Sequence, residues 1–187
     1  NSFRNLSNQT ERQDSLRGDI KGNIHLYAGQ INLKLPFEND WILNLGAKSS
    51  YVSIDNDALY ANREQDTWIG DDNFTQGFSY KENINAAYVE GNARFGQLSV
   101  QAGLRLEHTR YKGRQTSASC DSSFSAHSID LFPTVLMEYP LGKGKVSLFY
   151  GKRINRPNYG DLNPSAYIFD NYTYERGNTL LKPEKTD

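Results

Sequence analysis

The sequence has 187 residues, 21 Lys and Arg against 22 Asp and Glu, and a formal net charge of −1. It therefore fits one domain or part of a larger one, and its balance argues against a dedicated nucleic-acid surface. The 12% aromatic content argues against a disordered tail, no apolar run is long enough for a membrane-spanning helix, and the single Cys120 excludes a disulfide framework or a cysteine-based zinc site.

Residues 1–19 are polar and without period, which predicts a loop or a frayed strand end. There is no initiator Met and no charged, apolar leader, so we expect a piece of a longer chain. From residue 20 onward the period is two, that of a strand with unlike faces. Tyr27, Gly29, Ile31, Leu33 and Leu35 share one face of a strand predicted over 23–35. A second, over 41–54, sets Trp41, Leu43, Leu45, Ala47 and Tyr51 against Asn44, Gly46, Lys48 and Ser50. The third, over 78–95, changes parity near Tyr88-Val89, as a bulge would cause.

The clearest strand, 98–111, places Leu98, Val100, Ala102, Leu104 and Leu106 opposite Ser99, Gln101, Gly103, Arg105 and Glu107. A fifth over 129–139 contains Pro133, which suits an edge or a bulge, and a sixth runs over 146–154. The connections alternate in length. Pro36–Asp40, Gly96-Gln97 and Pro140–Lys145 are short, whereas Asp55–Gly77, Lys112–Ser128 and Asn155–Leu180 are long and polar.

Alternation alone suits either a soluble β-sandwich with one wet face, for instance a carbohydrate-binding module, or part of a membrane barrel with lipid on one side. Strands of up to about 14 residues exceed the usual globular length of about 5–6 and suffice to cross a bilayer. Short links at one end and long ones at the other match tight periplasmic turns and long extracellular loops. The predicted fold class is therefore all-β, an antiparallel meander of about six long strands forming part of a larger transmembrane barrel. Tyr27, Trp41, Tyr51, Tyr80, Tyr88 and Tyr139 lie near strand ends, where an aromatic girdle would stand.

Phe78–Tyr88, Gly103–Thr109, Leu131-Phe132-Pro133, Arg156-Pro157, Leu162-Asn163-Pro164 and Gly177–Glu184, in that order and spacing, give the chain a family likeness over about residues 20–187. It resembles TonB-dependent receptors, in particular the outer-membrane β-barrel family common in the Bacteroidetes. Thr179 stands where that family usually has Pro. The resemblance implies a barrel of about 22 strands around a plug domain. It also implies location in the bacterial outer membrane, uptake of a small-molecule or oligosaccharide ligand, and drive from the TonB energy-coupling complex acting on the plug. Neither plug nor coupling box is visible in these residues, and six strands cannot close a barrel alone.

No nucleophile elbow, zinc-helix motif or phosphate-cradling loop is present, so no enzyme and no cofactor are expected. His25, His108 and His127 are scattered, and no metal site is predicted. Asp55-Asn56-Asp57 and Asp71-Asp72-Asn73 could hold calcium, but turn-forming residues of this type explain them more simply. Arg105 and Glu107 are the predicted lumen-facing polar pair. Candidate ligand-binding rings lie in the long polar connections: Tyr60, Trp68 and Phe74 in one, Tyr159, Tyr167, Phe169, Tyr172 and Tyr174 in another. Aromatic faces beside amides and carboxylates suit sugars or aromatic chelators; the same rings would equally pack the loops together.

Overall fold

The structure is a computed structural model, and it describes residues 2–4, 11–13, 15–38, 40–64, 66–170 and 172–187. A short antiparallel pair, β1 (Ser2–Arg4) and β2 (Glu11–Gln13), precedes the main sheet. The sheet follows as β3 (Leu16–Pro36), β4 (Ile42–Glu64), β5 (Thr67–Gly70), β6 (Gln76–Phe95), β7 (Leu98–Ser117), β8 (Cys120–Leu141) and β9 (Gly144–Gly151). Its order is β3-β4-β6-β7-β8-β9, a curled antiparallel meander, with β5 beside the far end of β4 in line with β6. Beyond it come β10 (Arg153–Asn155), the single helical turn α1 (Tyr159–Leu162), β11 (Tyr167–Ile168), β12 (Tyr174–Glu175) and β13 (Glu184–Thr186), with β10 pairing β13.

The tight turns lie where the sequence places them. Gly96 and Gly142 each take positive φ, 62° and 59°, at the first central position of a two-residue turn, where a side chain would be strained. The other end of the sheet differs from expectation. The segment predicted as a loop or frayed strand end over 1–19 already belongs to β3 from Leu16, and Leu16–Gly22 pairs with Asn56–Asn62. Much of Asp55–Gly77 and nearly all of Lys112–Ser128 is ladder, and only Ala118-Ser119 turns the β7–β8 hairpin. These segments are rich in Ser, Thr, Asn and charge, the composition of loops. Their backbone groups are nonetheless paired strand to strand, which satisfies them as fully as in an apolar strand. Cys120 is exposed beside that turn.

There is no bulge at Tyr88-Val89. The β4–β6 register runs unbroken from Ile42↔Asn92 to Ala58↔Gln76, and β6–β7 from Phe95↔Leu98 to Gln76↔Ser117. What changes along β6 is its surroundings. From Phe95 to Ala87 the odd, convex positions are Phe, Ala, Gly, Val and Ala, while the even, concave ones include Arg94, Asn92 and Glu90. Further along, the convex positions become Asn85, Asn83, Lys81 and Ser79, and the concave ones Tyr80 and Phe78. The pleat keeps its parity and the hydrophobic side switches from outside to inside. Pro133 lies on an interior strand, not an edge. The β8–β9 ladder stops at Thr134↔Gly151, just where its missing N–H would be needed, and its carbonyl accepts the Lys152 N–H at 3.0 Å.

The convex face decides between sandwich and barrel. Ile31 is 76% exposed and Ile129 70%, and Leu33, Leu104, Leu106, Leu131, Val146 and Leu148 are exposed with them. Among the described residues no second sheet covers this belt, so the sandwich alternative fails. Trp41 packs edge-on against Phe95, centroids 5.6 Å apart, beside the tight turns, and Tyr27 opposes Tyr51 at the belt's other margin. The two aromatic margins bracket the belt as girdles bracket a bilayer's hydrocarbon.

Candidate functional site: the concave face

The concave face has two zones stacked along the strands. In the zone behind the apolar belt, strand alternation points Lys48, Glu90, Arg105 and Glu107 inward. Glu107 is only 4% exposed and is held from two sides. The Arg105 Nε–H donates to it at 2.9 Å, and Arg156, arriving from the segment after β10, donates to its other oxygen and to Thr109 Oγ1 at 2.9 Å. Arg105 also lies 5.7 Å from the centre of the Tyr88 ring. Tyr88 in turn lies flat across Gly46, where a Cβ would stand 2.3 Å from the ring. A depression of about 560 Å³ runs over these residues toward Lys152 and Arg153. Its walls mix charged groups, Lys48, Glu90, Arg105 and Glu107, with apolar ones such as Leu104, Phe132 and Ile154.

The second zone lies further along the same strands. Ile54, Phe78 and Tyr80 form a buried apolar cluster with Leu162 of α1, so the segment after β10 folds back onto the sheet. Tyr159 stacks on Phe78 at 6.0 Å, and Phe78 stacks on Phe124 at 6.5 Å. Gly113 makes room for that last ring, since a Cβ there would meet it at 2.3 Å. Polar ties pin the returning segment. Asn56 donates to Ser165 Oγ at 3.2 Å, Tyr60 to the Ala166 carbonyl at 2.7 Å, and Gln76 to the Pro164 carbonyl at 2.8 Å. Lys185 pairs with Asp130, which also accepts from Ser128 at 2.8 Å.

Between sheet and returning segment a cavity of about 410 Å³ is left, bounded by Val52, Tyr80, Tyr111, Arg156, Tyr159 and Lys182 among others. The Tyr159 hydroxyl and the Arg156 Nε are buried there with no hydrogen-bond partner among the described residues. Burial, with Asp55 nearby, pushes the Tyr159 hydroxyl up to about 12, so it is a neutral donor at ordinary pH.

The eight predicted aromatic residues divide into two sets. Tyr60, Phe74 and Tyr174 form a chain of edge contacts at 6.1 and 6.0 Å, and Tyr60 is buried. Tyr159 is half-buried against the sheet. Trp68, Tyr167, Phe169 and Tyr172 are exposed, with Tyr167 and Phe169 in edge contact at 5.3 Å. Tyr174 also carries Arg176 over its ring at 5.6 Å. The Asp71-Asp72-Asn73 run forms a local turn, with the Asn73 N–H donating to Asp71 at 3.0 Å. The central role of Arg156 was not visible in the sequence, because nothing in its spacing placed it against Glu107, 49 residues earlier.

Comparison with known proteins agrees with this architecture. The model of the outer membrane protein beta-barrel family matches residues 1–187. The chain belongs to that family. Its place is the bacterial outer membrane. Among solved structures it is similar to the ferric citrate transporter FecA in the unliganded form, with 10% identity and a TM-score of 0.52. That match covers 78% of this chain and 22% of the FecA chain, so the segment spans about a fifth of that transporter's length. At this identity the likeness is one of fold. No curated protein matches the sequence.

Proposed function

We propose that this chain is the barrel portion of a TonB-dependent outer-membrane receptor that takes up a scarce nutrient, a glycan, siderophore or similar ligand. The observation that carries the proposal is the pairing of an uncovered apolar belt outside with a buried, charged Glu107–Arg105–Arg156 network inside. A polar, charged lumen face of this kind is what a barrel needs on its inner side, and the polar surface of a plug would give these charges partners. The exposed rings Trp68 of β5 and Tyr167, Phe169 and Tyr172 of the returning segment would stack on sugar rings or an aromatic chelator. The protein would supply binding and passage, with no covalent chemistry.

The test uses the full-length protein in living cells with two labelled probes, a maltooligosaccharide and ferric citrate. With either probe, energy-dependent uptake should stop on adding a protonophore while surface binding persists. Uptake that continues unchanged without the proton gradient, or no surface binding of either probe, would overturn the proposal.

A further inference from the structure

We propose that the convex face just beyond the apolar belt, on β6, β7 and β8, is a binding site for phosphorylated lipid headgroups of the outer leaflet. The proposal needs the barrel's outer-membrane setting with its short turns on the periplasmic side, as is usual for such barrels, and is independent of what the lumen carries. Beyond Leu106 the convex positions of β7 are His108, Arg110, Lys112 and Arg114, in unbroken succession. On β6, Lys81 stands directly opposite Lys112, and on β8, His127 stands directly opposite Arg110. The convex positions of these strand segments hold one carboxylate, Asp121, and Arg114 engages it with two hydrogen bonds of 2.9 and 2.6 Å. Lys81, Arg110 and Lys112 are exposed and make no ion pair among the described residues.

Like charges directly across a ladder are destabilising. A sheet that places two ammonium groups face to face, with no protein carboxylate between them, calls for an anion from outside. Space for one is present. Lys81, Lys112 and Arg114 wall a depression of about 440 Å³ on this face, with Ser79, Ser123 and Ser125 as its small, hydroxyl-bearing floor. Cations plus hydroxyl donors are the groups that hold a phosphate's oxygens.

Height selects the lipid. On β8 the apolar belt ends at Ile129, opposite His108. Arg110 lies two residues further and Lys112 four. At about 3.3 Å per residue and a tilt of about 40°, they sit roughly 5 and 10 Å above the hydrocarbon edge, at headgroup level. Flexible Lys side chains reach down from there. The positive charge centres on β7: on the neighbouring β4 the convex positions at a similar height include Asp55 and Asp57, and Asp55, diagonal to Lys81, makes no ion pair with it among the described residues.

The test uses full-length protein in neutral maltoside micelles, with bound lipid counted by native mass spectrometry. The probe is a bis-phosphorylated diglucosamine lipid, compared with its phosphatase-treated form, phosphatidylcholine and inorganic phosphate. The phosphorylated lipid should bind at least tenfold more tightly than either neutral lipid. The double variant K81Q/K112Q should lose about 25-fold, near fivefold for each charge at an anionic surface. K81R/K112R should retain binding, and K143Q in a tight turn at the opposite end should change nothing. Retained affinity in K81Q/K112Q overturns the proposal. So does inorganic phosphate that binds as tightly as the lipid, which would mark a soluble-anion site. If K81Q/K112Q loses its heat-modifiable gel migration, the wild-type salt response decides: affinity must fall several-fold between 50 and 200 mM NaCl, and indifference to salt overturns the site.

Discussion

The same strands hold two regions built on opposite rules. Behind the belt, β6 and β7 turn Val89, Leu104 and Leu106 outward and Glu90, Arg105 and Glu107 inward. Beyond it they turn Lys81, Arg110 and Lys112 outward and Phe78, Tyr80 and Tyr111 inward. Neither register nor pleat changes between them. The medium on each side does: hydrocarbon outside and polar surroundings inside in the first region, headgroups and water outside and a folded-back segment inside in the second. Side-chain alternation in a barrel strand therefore records its solvents, and a reversal of sense marks a waterline rather than a backbone defect.

Six substitutions at five positions test that contrast. The largest effect is expected inside the second region. Phe78 is 2% exposed and touches Tyr80, Phe124 and Tyr159. Its truncation in Phe78→Ala should cost about 3–5 kcal/mol locally, read as faster hydrogen exchange across residues 159–166 with the belt strands unchanged. If exchange rises equally over 98–106, the two regions are not separate units. Next is Leu104→Arg on the belt, which should lower unfolding free energy in lipid vesicles by about 2–4 kcal/mol. Asn23→Arg, exposed on the same convex side beyond the waterline and directly across from Asp55, should leave it within about 0.5 kcal/mol. Equal costs would remove the waterline.

Glu107→Gln leaves Arg105 and Arg156 without their shared carboxylate. Because both guanidinium groups keep some access to solvent, a loss of roughly 1–3 kcal/mol is expected, less than for a fully buried pair. Glu107→Asp should recover part of it in the same unfolding assay. A smaller effect is expected of Tyr159→Phe, which removes a buried hydroxyl with no partner among the described residues. Stability at pH 7 should be unchanged or up by about 1 kcal/mol. In the wild type this hydroxyl is raised in the folded state to about 12. Its contribution is therefore intact below the ordinary tyrosine value near 10 and is lost as pH rises from there through 12. Protease sensitivity of the returning segment should climb over that window in the wild type, and this component should be missing in Tyr159→Phe.

The belt was legible in the sequence because lipid enforces it. Leu98 to Leu106 alternate cleanly, and the tight turns carry Gly96 and Gly142 where positive φ is needed. The ladders beyond it were not legible. Ser122, Ser123 and Ser125 look like loop residues, and only their pairing with Gln115, Arg114 and Lys112 makes them strand. The apparent parity slip at Tyr88-Val89 had the same origin, two solvents read as one. Of the concave face, the Arg105–Glu107 contact follows from residues two apart on one strand. Arg156 and the Leu162 anchor depend on a long segment folding back, which no local pattern encodes.

The turn at Ala118-Ser119 sets the exposed thiol of Cys120 at the summit of a hairpin that stands well clear of the hydrocarbon. A membrane-impermeant maleimide added to intact cells would label this sulfhydryl only with the long hairpins facing outward, clear of the acyl chains. Orientation in the envelope can thus be read through a native handle, without engineering a reporter into the protein.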